Sequence, residues 1–286
     1  MDEFDVALKA RQFAREANVV DIPASVEAYA EAAKAVVRPD AELGLEESGW
    51  CFAKGGRHYI SVNANQTPER QRFTICHEIA HIVLGLPSDH KTLLWWSYAK
   101  RPPAEIWCDI FAAELLLPFQ PFKTAANELP IGMIAVETLA ARFVASITAT
   151  GSRFAAVNND PCAFVLSEQG KVRYAARSNV LRGEYGWIKP GIDLPRGCLS
   201  ERLRAGTTSD GRERIDAAEW FTDWERGGIL VEEAKYLTQW DQTLTLLWFE
   251  DGEVPPAKRE RREDEEELGL EELDGHLRWP SKKRRR

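Results

Sequence analysis

Residues 67–85 leave this chain little choice of local structure, because helix signals bound them at both ends and His77-Glu78-Ile79-Ala80-His81 lies between. Thr67 suits the N-cap, Pro68 the first helical position, and Glu69 the first turn, where the helix dipole favours a negative charge. Gly85, with Pro87 just beyond, supplies the stop. On the helix so predicted, residues four apart lie about 40° apart around the axis and about 6 Å apart along it, so both imidazoles can converge on one point. Such an HExxH helix has zinc-peptidase geometry. Zinc accepts the two ring nitrogens, and Glu78 is placed to take a proton from water at the metal. The chain has five histidines in 286 residues, and two of them fall in this motif.

A catalytic zinc site normally needs a third protein ligand. A further histidine six residues after His81 would mark one peptidase class, but that position holds Pro87. His90 follows the Gly85/Pro87 break in a segment that sequence cannot place. Glu105-Ile106-Trp107-Cys108-Asp109 is a better source, since it puts two carboxylates one turn apart on a helix opened by Pro102-Pro103 and closed before Pro118. Glu105 is expected to bind the metal, and Asp109 to accept the outer ring N–H of a ligating histidine. Glu114 lies nine residues beyond Glu105, on the opposite side of that helix, and drops out. Cys76 and Cys108 flank these residues, and small buried packing groups are the favoured reading for both.

Around this centre the periodicities predict helices over 2–18 and 24–37, then strands 50–53 and 57–62 joined through Lys54-Gly55-Gly56. Tyr59, Ile60, Ser61 and Val62 are read as an edge on which an extended substrate could add as another strand. Tyr59, His90 and Tyr98 are candidates for an extra oxyanion donor. A helical pair over 134–143 and 147–157 follows, and strand texture returns at 162–167, 171–176, 229–237 and 243–249. Trp187, Trp220, Trp224, Trp240 and Trp248 in that last region are read as core fillers. Beyond Val254-Pro255-Pro256 runs a tail of charge blocks, read as a solvated extension.

Five widely spaced cysteines without a CxxC argue for reduced thiols. Residues 1–20 hold no apolar signal core, and no later apolar run reaches membrane-spanning length, so a cytoplasmic location without membrane attachment is expected. The net charge of −8 argues against a protein that coats nucleic acid over its whole surface.

Gln71 to His81 (QRFTICHEIAH), Glu105 to Asp109, and Phe111 to Pro118 (FAAELLLP) together resemble the ImmA/IrrE family of metallopeptidases. The strand Tyr59-Ile60-Ser61-Val62-Asn63 also fits its pattern. Ile79-Ala80 and Cys108 depart from the commoner residues. The resemblance implies a gluzincin-like fold, Zn2+ as cofactor with Mn2+ as an alternative activator, and cleavage of a helix-turn-helix repressor. It also implies a helix-turn-helix-like middle segment, which Val136 to Ser146 resembles, and a GAF-like carboxyl domain with a small-molecule effector.

The expected fold is α+β. A zincin-like, mainly helical peptidase domain with a small sheet occupies 1–125, a helix-turn-helix-like segment 126–160, a mixed α/β GAF-like domain 161–255, and a charged tail 256–286. The expected metal ligands are His77, His81 and Glu105, with Glu78 as general base and Asp109 behind them. The alternatives are a non-catalytic zincin scaffold that binds a regulator, and a DNA-binding regulator acting through Arg142 or Arg153 on the middle helices. Direct DNA binding is not expected.

Overall fold

The computed structural model describes residues 1–44, 47–87, 102–224, 226 and 228–250. His90, Tyr98 and the tail from 256 onward therefore lie outside the described residues.

The amino-terminal part is helical with a small sheet. Helix α1 (Glu3–Glu16) opens with Asp2 and Asp5 as a reciprocal capping box, and α2 (Val26–Ala32) with the Ser25 hydroxyl as its cap. Strands β1 (Ala35–Asp40), β2 (Gly49–Lys54) and β3 (Arg57–Asn63) follow. Gly55 and Gly56, both at positive φ, make the tight turn between β2 and β3, which only glycine adopts there without strain. Then come α3 (Pro68–Leu84), α4 (Pro103–Leu116), α5 (Phe119–Asn127), α6 (Met133–Phe143) and α7 (Ile147–Val157).

Residues 35–37, expected as the end of a helix, belong instead to β1. Lys34 at φ 54° ends the α2 region, and Val36 and Val37 are β-branched residues that lose less in a strand. Pro39 is tolerated because β1 lies at the sheet edge. This changes the reading of the neighbouring strand. The sheet order is β1-β3-β2, with β1 parallel and β2 antiparallel to β3. Tyr59, Ile60, Ser61 and Val62 are therefore central, with both backbone edges already paired, and cannot accept a substrate strand. The edges of the sheet belong to β1 and β2.

The carboxyl part is a five-stranded antiparallel sheet ordered β5-β4-β8-β7-β6. Its strands are β4 (Cys162–Glu168), β5 (Lys171–Arg177), β6 (Gly211–Asp216), β7 (Ile229–Leu237) and β8 (Gln242–Trp248), with short helices α8 (Asn179–Gly183) and α9 (Leu199–Arg204) between them. The sequence reading missed β6. Its Gly-Arg-Glu-Arg run is exposed, so it lacks the apolar alternation that marks a half-buried strand.

One hydrophobic cluster runs from α1 through α3 to α7 and onto one face of this sheet, taking in Phe164, Leu166, Leu246 and Trp248. The other face carries a second cluster containing Trp220, Phe221 and Trp224. Trp220, Trp224 and Trp248 are buried, whereas Trp240 is exposed. The Arg177 guanidinium lies 4.2 Å from the Trp187 ring centroid. In α7, Gly151 lets the Phe164 ring approach so closely that a Cβ there would lie 2.3 Å from it.

The helical pair α6 and α7 turns through 114° at residues 144–146, with Val144 left-handed at φ 50°. No residue of α7 is exposed, because it packs against β4 and β5. A helix covered in this way cannot enter a DNA groove. Arg153 of α7 is already paired with Glu114 at 3.0 Å.

Candidate active site

The HExxH segment sits in the last two turns of α3. The Thr67 hydroxyl accepts the Arg70 N–H at 3.4 Å at its start. At its end Gly85 is left-handed at φ 65°, and the Leu86 N–H donates to the His81 carbonyl at 3.0 Å. This closure ends the helix one turn after His81 and satisfies its carbonyl. Ile75, Cys76, Ile79 and Ala80 bury the opposite stripe of the helix, so the two histidines face α4.

Helix α4 brings its own polar stripe to meet them. His77 Nε2 and His81 Nε2 lie 3.2 Å apart. The Glu105 carboxylate lies 3.2 Å from His77 Nε2 and 3.5 Å from His81 Nε2. On the other side of the ring, Asp109 Oδ1 is 2.9 Å from His77 Nδ1. That contact suits a tautomer with the proton on Nδ1 and a lone pair on Nε2. Glu78 is buried, 3% exposed, on the same helix.

The two imidazoles and the Glu105 carboxylate are donors of the kind zinc accepts. Bonds of about 2.0–2.1 Å at tetrahedral angles put neighbouring donors about 3.3–3.4 Å apart, close to the 3.2 Å between the two Nε2 atoms, while one Glu105 oxygen approaches His77 and the other approaches His81. His77, His81 and Cys108 also offer ligand atoms that all lie within 4.8 Å of one another. Cys108 is the member that sequence reasoning set aside as packing. It points into the helix interface one turn beyond Glu105, a placement that depends on how α3 meets α4.

The electrostatics follow from burial and neighbouring charge. Burial works to lower the His77 pKa, but the hydrogen bonds to Asp109 and Glu105, with the charges of Asp109 and Glu78, raise it to about 9. His81 moves the opposite way, first through burial and then through the positive charge of His77. The Cys108 thiol is pushed far up, by burial first and then by Glu105, Asp109 and Glu78, so it is neutral in the metal-free protein.

Other expected residues fall elsewhere. Tyr59 lies on the sheet face opposite Ile60, which is buried toward α3, so it does not reach the histidines. Glu114 faces away from Glu105 and is buried between Arg11, at 2.8 Å, and Arg153. A polar cavity of about 370 Å³ lies between the β4–β5 turn and α9, lined by Gln169, Asp193, Arg196, Glu201 and Arg204; nothing ties it to the expected effector.

An HExxH helix facing an acidic helix across a clustered donor set is an arrangement that could hold a metal ion, as in a metal-dependent enzyme. Residues 16–154 match the Peptidase_M78 family, described as the IrrE N-terminal-like domain. No curated protein matches the chain. Among solved structures, a Mycobacterium tuberculosis transcriptional regulator is similar, at a TM-score of 0.56 and 14% identity, over 86% of this chain and 76% of that one. At that identity the likeness is one of fold.

Proposed function

We propose that this chain is a zinc-dependent endopeptidase acting on a regulatory protein, with His77, His81 and Glu105 as metal ligands and Glu78 as general base. The observation that carries the reading is the convergence of the two Nε2 atoms, 3.2 Å apart, on the Glu105 carboxylate, one oxygen of which lies 3.2 Å from His77 and the other 3.5 Å from His81. Zn2+ held there supplies a Lewis acid that polarises a peptide carbonyl and acidifies water, and Mn2+ is the alternative ion. Glu78 takes the proton of the attacking water and returns it to the leaving amine. Asp109 holds the His77 ring with its Nε2 lone pair toward the shared point. An extended substrate segment presents its backbone by adding to β2, whose far side has no strand among the described residues. The IrrE-like match favours a helix-turn-helix repressor as the substrate, and the five-stranded sheet is assigned the role of a GAF-like sensor.

Incubating the protein with Zn2+ and a helix-turn-helix repressor encoded beside it should yield a discrete cleavage within the repressor, read by mass spectrometry. Glu78→Gln should keep the metal and lose cleavage by about 10²–10⁴-fold. Full cleavage by that variant would overturn the reading. A non-catalytic scaffold is disfavoured because it has no chemical use for a buried carboxylate next to the first histidine. A DNA-reading role for the middle helices is disfavoured by the covered surface of α7.

A further inference from the structure

We propose that the outer face of the three-stranded sheet, beside the β2 edge that pairs with no strand among the described residues, recognises an extended peptide that carries an acidic residue followed by two apolar residues at alternate positions. The proposal deepens the peptidase reading, on which its use in substrate selection rests.

Alternation along β2 puts Trp50, Phe52 and Lys54 on the face away from α3. The register sets Phe52 opposite Tyr59 and Lys54 opposite Arg57. Trp50 and Phe52 stack with centroids 5.2 Å apart, Phe52 and Tyr59 likewise, and the Arg38 guanidinium lies 5.2 Å from the Tyr59 centroid. Trp50 is 38% and Phe52 40% exposed, so the aromatic strip is a contiguous apolar surface rather than a scattered residue.

Its charge is opposite to that of the molecule. The chain carries a net −8, yet Arg38, Lys54 and Arg57 are exposed on this face and make no ion pair among the described residues. The carboxylate that shares the face, Asp40, already accepts the Ser61 hydroxyl at 3.1 Å and the Glu42 N–H at 2.9 Å. A locally cationic surface on an acidic protein selects an acidic partner and speeds its encounter.

The strand also runs beside the candidate site. Gly49 packs so tightly that a Cβ would lie 2.7 Å from the Thr74 methyl, one turn before His77. Cys51, on the inner face of β2, contributes to the electrostatic surroundings of Cys108. A segment that adds antiparallel to β2, the more stable pairing, meets Lys54 first, then Phe52 and Trp50. Its outward residues thus read acidic, apolar, apolar, while the residues between them face the α3 side of the sheet. Single-stranded nucleic acid is the rival polyanion. The peptide is favoured because the rings are already stacked on one another, leaving no slot for a base, and because the β2 backbone offers a ladder that a nucleotide cannot pair with.

The test is fluorescence anisotropy on the full-length Glu78→Gln protein with labelled Ser-Glu-Thr-Leu-Thr-Phe-Ser. Binding should weaken about tenfold or more in a Lys54→Glu/Arg57→Glu variant and again in Trp50→Ser/Phe52→Ser, with the near-ultraviolet circular dichroism of each variant checking its fold. The same peptide with its order reversed, or N-methylated along its backbone, should also bind about tenfold more weakly. Equal affinity across variants and peptides, or displacement by oligothymidylate at lower concentration than by unlabelled peptide, overturns the proposal. Peptide binding without any repressor cleavage by the wild type would count against the peptidase reading alone. Repressor cleavage undiminished in the charge-reversal variant would count against this surface alone.

Discussion

At His77 the position of one proton governs what the site can bind. With its pKa raised to about 9, against an ordinary value near 6.5, the imidazolium stabilises the metal-free fold fully below pH about 6.5. That contribution is lost as pH rises through about 9. A metal ion needs the Nε2 lone pair, so binding must release this proton. Chelator-competition titrations should therefore show zinc affinity rising about tenfold per unit between pH 7 and 9 and levelling above; a flat profile would mean His77 is already neutral. The third ligand separates by mutation. Glu105→Ala should weaken zinc by at least about 100-fold, whereas Cys108→Ala should change it by less than about threefold, because the Glu105 carboxylate already reaches both imidazole nitrogens. The reverse order in the same titration would make Cys108 the ligand. That His77 and His81 share one helix face, and Glu105 and Asp109 another, was legible because helical phase is a local property. The closeness of Cys108 to both imidazoles was not, because it depends on a packing of α4 on α3 that no single-helix pattern encodes.

Among the elements, α7 shows why a helical pattern can suggest the wrong use. Its short connection to α6 and the 114° turn resemble a DNA-reading pair, yet the helix is covered by the sheet. Gly151 is what allows that cover, since it accommodates the Phe164 ring. Gly151→Ala would add helix propensity worth about 1 kcal/mol, but the ring is fully buried and has no room to withdraw. The net effect should be destabilisation by about 1–3 kcal/mol in urea unfolding, and a gain in stability would show that the ring can move. The strands teach a related lesson. The β2–β3 hairpin could be read from Gly55-Gly56 and its flanking residues. Residues 35–37, the first half of β1, were read as the end of a helix, and that error turned β3 into an apparent edge. Strand β6 escaped notice because an exposed edge strand needs no apolar face.

Across the whole molecule, Glu114 ties the amino-terminal helix to the layer beneath the carboxyl sheet. Its carboxylate, 3% exposed, joins Arg11 of α1 and Arg153 of α7, and also accepts the Phe119 N–H at 3.1 Å. Glu114→Gln leaves two cations facing a neutral amide. It should cost about 2–3 kcal/mol, at the lower end for a broken buried pair because Arg11 is partly exposed. Urea unfolding measures this, and a change under about 0.5 kcal/mol would show that the network relaxes. From sequence alone Glu114 was recognisable as pointing away from Glu105, but its partners lie 103 and 39 residues away and could not be foreseen. The same division holds throughout. Caps, helical phase and a two-glycine turn draw their energy from atoms within a turn or two along the chain, so α3, its HExxH face and the β2–β3 hairpin could be read directly. Which strand forms the edge, which helix is covered, and whether Cys108 meets the histidines depend on burial shared among distant segments. Those outcomes exist only once the segments have packed.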